Sequence, residues 1–379
     1  MNERRAMNAS YKKAVPYGFT STWSEKDKYS VKNPLEAESK EVRLAIVGVG
    51  GVAIGRHLPA LQRLRDTGMR ISIVAGADLD PVVRANVQHN HGVPMYVDAV
   101  EMFESNKIDG VLLLTDPGAN RLALMEEAIR RKVHIFSEKP FLYFGPDALP
   151  EAISKSRAVL AQARDAGILV MTGFVKRFSP PYQVAKNLID EGAIGEISLM
   201  AIKMCQAWSR HVLLEGQACH LLHVARWLGG EVRGLHAIAT NRFDEPNYPI
   251  DNAVINVEFE SGALGAFYFN SSSTALKPWE RVEVFGQRKW LSVEDQMTVT
   301  LHDSDEGPSK VWHPSLPTTL FFDEEFSGFT HQLRNFVHAV RGEAQVEVTG
   351  EDGVAALRLA HMIHTSARER RYVAYAETE

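Results

Sequence analysis

The run Val47-Gly48-Val49-Gly50-Gly51-Val52-Ala53 constrains this chain more than any other stretch. Ahead of it, Val42 to Val47 reads as a short buried strand. Behind it, Ile54 to Leu64 carries Leu58, Leu61 and Leu64 at helical spacing. A strand, a Gly-x-Gly-x-x-Ala turn and a helix make the first half of a dinucleotide-binding fold. Gly48 takes the tight turn, and Gly50 lets a pyrophosphate approach the backbone. Ala53 lets the helix pack close to the strand. The helix start, with Gly51 and Val52, offers free N–H groups and partial positive charge to phosphates.

A second apolar strand, Ile71 to Ala77, ends at Asp78. A carboxylate there accepts hydrogen bonds from both ribose hydroxyls of NAD and repels the extra phosphate of NADP. The alternative for Asp78 is a solvated residue in the turn Asp78-Leu79-Asp80-Pro81. Pro59 accounts for part of the long spacing between the glycines and Asp78. A proline inside a helix costs about 3 kcal/mol, so a break near His57 and a restart with Pro59 in the first turn is expected.

At 379 residues the chain should hold two domains. Its net charge of −5, with no long basic run, argues against nucleic acid or an anionic membrane as the main partner. No apolar stretch is long enough to span a bilayer. Residues 1–40 are charged throughout, with scattered aromatics such as Tyr11 and Trp23. They read as an extension, or as an arm lying on this subunit or a neighbour, rather than a signal peptide. Cys205 and Cys219 alone make no disulfide framework, which suits a reducing cytoplasm.

From Val42 to Gly173 strands and helices alternate, which calls for a doubly wound parallel sheet of the Rossmann type in an α/β fold, spanning residues 41–173. Ligands of such sheets lie beyond the carboxyl ends of the strands. Gly48, Asp78, Thr115, Glu138, Lys139 and Arg177 all fall at such ends. After Phe174 the pattern changes to alternating runs joined by short turns. Residues 174–379 read as an α+β domain with an open, mostly antiparallel sheet and a helix, Cys219 to Leu228, packed on it. The free face of that sheet is a possible subunit interface.

Glu138-Lys139-Pro140 is the second signal. A partly dehydrated lysine at a strand end suits proton exchange with an alcohol or carbonyl oxygen. The bland alternative is a surface lysine. The third signal is His220-Leu221-Leu222-His223, whose histidines share a helix face with Trp227. A histidine titrating near neutrality can take a proton from a secondary alcohol. It can equally be a core histidine satisfied by a carbonyl. The pair lacks His-Glu-x-x-His spacing, so no metal is expected. Cys219 reads as a small buried hydrophobe.

Together these strings resemble the family of glucose–fructose oxidoreductase and inositol dehydrogenase. The matching stretches are Gly48 to Ala53 with His57-Leu58-Pro59-Ala60-Leu61, then Glu138-Lys139-Pro140, Arg177-Phe178-Ser179-Pro180, Gly192 to Ile197 and Arg226-Trp227-Leu228. They cover nearly the whole chain from Val42. The resemblance implies an NAD(P)-dependent enzyme acting on a sugar, polyol or related compound, and a homodimer or homotetramer. It implies that Lys139 orients the substrate hydroxyl, His220 is the acid/base, and Glu138 touches the cofactor ribose. Thr115, Asn120 and Arg177 fall with the cofactor set. His223 and the upstream Trp208, Arg210 and His211 are candidate substrate contacts.

Departures from the family pattern accompany the matches. Gly216 and His223 stand where the family often has Asp, and Asn120 where many relatives have His. Either His223 or Glu215 replaces the missing acid, or the proton route differs, or the site is catalytically weak. Two other readings therefore stand beside an NAD-dependent dehydrogenase. One is an NAD- and ligand-sensing regulatory protein without chemistry. The other is a glycoside-cleaving enzyme that uses NAD transiently.

Overall fold

The structure is a computed structural model that describes residues 39–205, 213–242, 250–271, 273, 279–303, 309–313 and 327–378. The first half alternates β1 (Val42–Val47), α1 (Leu58–Asp66), β2 (Ile71–Ala77), α2 (Pro81–His91), β3 (Met95–Tyr96), α3 (Ala99–Ser105), β4 (Gly110–Leu113), α4 (Ala119–Arg130), β5 (His134–Ser137), α5 (Leu149–Asp165) and β6 (Val170–Thr172). Among the described residues these strands form a six-stranded sheet in the order β3-β2-β1-β4-β5-β6. Every pairing is parallel. The order reverses between β1 and β4, so a crevice opens at their carboxyl ends.

Between the glycine turn and α1 lies a wide π-helical turn, Ala53–His57. The Leu58 N–H reaches back to the Ala53 carbonyl, and Pro59 occupies the first turn of α1. The expected break near His57 is therefore a widening instead. The backbone stays helical there, because one extra residue in the turn accommodates the missing proline N–H. His57 and Ala53 are buried by this geometry.

The second half holds α6 (Pro180–Asp190), β7 (Leu199–Cys205), α7 (Cys219–Gly229), β8 (Val232–Thr240), β9 (Asn252–Phe259), β10 (Leu264–Asn270), β11 (Glu280–Phe285), β12 (Trp290–Glu294), β13 (Thr298–His302) and β14 (Lys310–Trp312). Then follow α8 (Phe329–Val340), α9 (Gly350–Glu369) and β15 (Val373–Ala374). The described strands make a nine-stranded sheet, β14-β13-β12-β11-β7-β10-β9-β8-β15. Its pairs are antiparallel except β7 with β10. In β9, Ala253, Ile255, Val257 and Phe259 are buried while Val254 is exposed. That period of two buries one face and leaves the other open.

Two late helices tie the halves together. In α8, Leu333, Phe336 and Val337 join Val42, Leu44, Ile46 and Leu61 in one apolar cluster. Gly110 makes room for this: a Cβ there would lie 3.0 Å from the Phe336 ring. α9 starts with a capping box between Thr349 and Asp352 and packs against α5, α7 and β8. Gly353 lets it approach the first half, since a Cβ would lie 2.9 Å from both Phe141 and Thr172.

Candidate active site

The crevice begins at the glycine turn. Gly48 has φ +82°, and a Cβ on it would fall 2.9 Å from the Thr115 backbone nitrogen. Only glycine tolerates that backbone and that proximity. Gly50 and Gly51 face open space, with no protein atom within 4 Å of a built Cβ. Val52 is exposed while Ala53 is buried against the sheet. Asp78, at the end of β2, binds the turn directly: its Oδ2 accepts from the Val49 N–H at 2.7 Å. Its Oδ1 accepts from the Asp80 N–H at 2.9 Å. One carboxylate thus fixes the glycine turn, and each oxygen keeps lone-pair capacity for a ribose hydroxyl.

The facing wall is built from the ends of β4 and β5. Asn120 is exposed in the first turn of α4. Beside it, Arg121 is buried and donates to the carbonyls of Thr115, Glu138 and Pro140, the last at 2.7 Å. Burial lowers its guanidinium to about 10, which leaves it a cation at neutral pH. A single buried side chain therefore holds three carbonyls from two backbone segments, the end of β4 and the Lys139 turn. Sequence reasoning passed over it, although an arginine amid the apolar positions of a helix start was the available signal.

Glu138 is buried, and its oxygens have partners. Oε1 lies 2.9 Å from His57 Nε2, and Oε2 accepts from the Lys139 N–H at 3.0 Å. Burial alone would raise its pKa. The His57 hydrogen bond and the charges of His57, Lys139 and Arg121 outweigh it and hold the carboxyl below its usual range. The peptide between Lys139 and Pro140 is cis. The Lys139 side chain is half-buried and crosses to the second half of the chain, where Nζ donates to the Gly216 carbonyl at 2.6 Å.

Gly216 belongs to a π-helical turn, Leu213–Ala218, which runs straight into α7 and so places His220. Burial, with the Lys139 and Lys176 ammonium groups next, pushes the His220 pKa well down, so the imidazole is neutral. Its Nδ1 has no hydrogen-bond partner among the described residues. The ring meets Phe174 edge-on at 5.9 Å between centroids. Cys219 is buried and its thiol is pushed up to about 11 by burial, which makes it inert.

Neither candidate replacement for the missing acid reaches His220. Glu215 points instead to α9, where its Oε1 lies 2.8 Å from His364 Nε2. His223 stacks on Phe174 at 4.7 Å. It borders a cleft with Arg177, Arg226, Trp227 and Asp352. Burial brings its pKa to about 3. Arg177, expected with the cofactor, lines that cleft, its guanidinium 5.3 Å from the Trp227 ring centroid. The short helical turn Val175–Phe178 after β6 redirects it. Trp208, Arg210 and His211 lie outside the described residues.

The same turn delivers Lys176, another residue passed over in the sequence. It is buried and ion-paired to Glu280 at the start of β11, and its Nζ sits 4.6 Å from the Trp279 ring centroid. The Tyr182 hydroxyl donates to the other Glu280 oxygen at 2.9 Å. Burial lowers the Lys176 pKa, and Glu280 opposes that shift.

Comparison with known proteins agrees with this architecture. Residues 42–174 match the oxidoreductase family with an NAD-binding Rossmann fold. Residues 182–292 match the GFO/IDH/MocA C-terminal domain. The chain is 26% identical over 351 residues to inositol 2-dehydrogenase of Rhizobium meliloti, covering 88% of this chain and 99% of that protein. It is 25% identical over 354 residues to D-apiose dehydrogenase of Paraburkholderia graminis, covering 88% and 90%. In fold it is similar to an oxidoreductase from Agrobacterium radiobacter solved with NAD+, L-tartaric acid and magnesium. The TM-score is 0.78 at 19% identity, covering 90% of this chain and 100% of that one. The glycine turn, the Asp78 strand end and the two-sheet architecture are those of an NAD-binding oxidoreductase, and the chain belongs to the GFO/IDH/MocA family.

Proposed function

We propose that this enzyme interconverts a secondary alcohol and a ketone on a sugar, cyclic polyol or related compound. One observation carries the reading: the Lys139 ammonium rests on the Gly216 carbonyl, at the head of the helix that bears a neutral His220. Bound NAD supplies the hydride acceptor. Lys139 has three N–H donors and spends one on Gly216, leaving donors for a carbinol oxygen. His220, uncharged, can accept the hydroxyl proton as the carbon is oxidised. In the reverse direction it returns that proton.

The residues suit NAD as the cofactor. Gly48, Gly50, Gly51, Val52 and Ala53 form the diphosphate cradle, and the open space at Gly50 is the room a diphosphate needs. Asp78 serves the adenosine ribose; Thr115, Asn120, Glu138 and Lys139 line the nicotinamide side. We assign residues 41–173 to the cofactor unit and 174–379 to substrate binding and assembly. The relatives' names, inositol and apiose dehydrogenases, support the substrate class.

We further propose a homodimer or homotetramer joined through the open sheet face. Ile238, Val254 and Tyr268 are exposed there and stand opposite one another on β8, β9 and β10. Both cysteines are free, which suits a cytoplasmic protein. Among the described residues no helix is long and apolar enough to cross a membrane.

A spectrophotometric assay at the NADH band with inositols, pentoses and hexoses tests the reaction. Substrate-dependent NADH formation, lost in Lys139→Ala and His220→Ala, is expected. The His220 ring nitrogen without a partner favours a second reading, a sensor that binds NAD and does no chemistry. Tight NAD binding with no turnover across the panel would select it.

A further inference from the structure

Position 121 lies on the inward face of α4. Arg121, Met125, Ala128 and Ile129 are its buried residues, and they recur at helical spacing. The last three are apolar. Arg121 is 1% exposed and remains a cation at neutral pH. Taking a cation out of water is costly unless its donors find acceptors. An apolar side chain would fill the same place without that cost. The guanidinium therefore has to be explained by what it bonds.

Its acceptors converge on the site. Nη1 donates to the carbonyls of Glu138 and Pro140, the main-chain groups on either side of Lys139. Nη2 donates to the Thr115 carbonyl, just past β4. The Thr115 nitrogen is in turn an atom that a Cβ on Gly48 would meet. One side chain thus spans the strand end beside the glycine turn and the turn that carries Lys139. The Glu138 carboxylate is bonded to His57 and the Lys139 N–H, so Arg121 holds Glu138 by its main chain. The charges of Glu138 and Asp116 partly offset the burial. A fork is required here, because a lysine has all its donors on one nitrogen and cannot serve both segments in the same way.

We propose that Arg121 is a positioning residue for the dehydrogenation: it ties the main chain on both sides of Lys139 to the Thr115 strand end, and so fixes where the Lys139 amine meets the carbinol oxygen. This rests on the dehydrogenase reading for the role of Lys139. Arg121 is itself buried and acts through Lys139. The Lys139 side chain reaches across to the Gly216 carbonyl at 2.6 Å, so a shift of its turn is passed on to Nζ. Misplacing a reacting group by about 1 Å can lower a rate about 10²-fold.

Two substitutions in the full-length protein test this. Arg121→Lys keeps a cation and loses the fork, and Arg121→Met fills the space with neither. Initial rates with NAD are measured in the cold with whichever of myo-inositol, D-xylose and D-glucose the wild type oxidises. In both variants kcat should fall at least about tenfold, while the NADH dissociation constant moves less than about threefold. In a Lys139→Ala background the same substitutions should change the residual kcat by less than about threefold, because the group they displace is gone. A kcat that stays at the wild-type value, or a full loss repeated on top of Lys139→Ala, overturns the proposal. Failure of both variants to fold also overturns it, since the guanidinium would then be a folding element. Hydrogen exchange needs no turnover and separates the hold on Lys139 from the reaction. Peptides across residues 136–144 should take up deuterium at least about tenfold faster in Arg121→Lys, while those across β9 match the wild type. Unchanged uptake across 136–144 overturns the proposal even in an active enzyme. Faster uptake there, with a wild type that oxidises none of the three compounds, would count against the redox reading and leave the hold on Lys139 standing.

Discussion

The Lys139 ammonium lies 2.6 Å from the carbonyl oxygen of Gly216, so a strand end of the first sheet and the helix start of the second half meet through one hydrogen bond. On the proposed function, that contact sets where a substrate oxygen can sit. Replacing Lys139 by Ala removes the donors and keeps the glycine turn. We expect turnover to fall by a factor of about 10² to 10⁴, the usual range for one positioned proton-transfer group. NADH affinity by fluorescence titration should change less than about threefold. A variant that keeps full turnover would show that the carbinol oxygen is held elsewhere.

His57 and Glu138 form a buried pair at 2.9 Å, with the His57 ring edge-on to Phe136 and Phe329. His57→Leu leaves the carboxylate without that donor. Breaking a buried pair costs about 3–5 kcal/mol, so urea unfolding at pH 7 should report a loss of that order. His57→Gln keeps an N–H and should recover most of it. The Glu138 pKa is lowered in the folded state. Its contribution is then complete above the unfolded value near ~4.3 and fades as pH falls through the folded value. Acid unfolding of the wild type should therefore steepen below that point, and His57→Leu should lose this component.

His223 works in a different pH window. Its folded pKa is about 3, set by burial. The folded state resists its protonation while the unfolded chain does not. Stability from this group is complete above about 6.5 and declines as pH drops toward the folded value. His223→Phe keeps a flat ring for the stack on Phe174 and removes both ring nitrogens, neither of which has a hydrogen-bond partner among the described residues, with Nδ1 3.9 Å from Asp352 Oδ1. Melting temperatures measured from pH 7.5 to 4.5 should decline less in His223→Phe than in wild type. Parallel curves would mean the imidazole is not held neutral.

How much of this was visible beforehand depends on the range of the interaction. The bounds of β1 and β2 were readable because largely apolar runs, broken only by Arg43 and Ser72, end at Gly48 and Asp78. The glycine turn, Asp78 and the Lys139 turn are local patterns, and they fall at strand ends on one side of the sheet. α8 escaped notice because its buried residues include Thr330, His331, Gln332 and Asn335, which blur the apolar period. Arg121 and Lys176 were hidden for another reason. Their roles come from partners brought near by folding, such as Glu280, 104 residues beyond Lys176. No local spacing encodes that. The surroundings of Arg177 were hidden in the same way, since the turn after β6 sets its guanidinium beside the Trp227 ring.

Gly48 and Gly50 separate folding from binding within one turn. Gly48→Ala forces a side chain into a positive φ and against the Thr115 backbone. The conformation alone costs about 1–2 kcal/mol, and the contact adds to it. A lower melting temperature without ligand is expected. At Gly50 a Cβ meets no protein atom within 4 Å, so Gly50→Ala should melt like wild type. It should bind NADH at least about tenfold more weakly, because the new methyl occupies the approach to the backbone that a diphosphate needs. Unchanged affinity in Gly50→Ala would move the diphosphate away from this turn.

Ile238, Val254 and Tyr268 stand in register across three strands on the open face of the second sheet. They are 66%, 57% and 49% exposed, a contiguous apolar row of the kind that marks an interface. Val254 is central, since it pairs with both of the others. Val254→Arg puts a charge in the middle of that row and leaves the buried face of β9 untouched. Light scattering after size exclusion should show the assembled wild type and a smaller species for Val254→Arg, with secondary structure unchanged by circular dichroism. A wild type that runs as a monomer at micromolar concentration would overturn the proposed assembly, and a Val254→Arg variant that stays assembled would place the subunit contact on another surface.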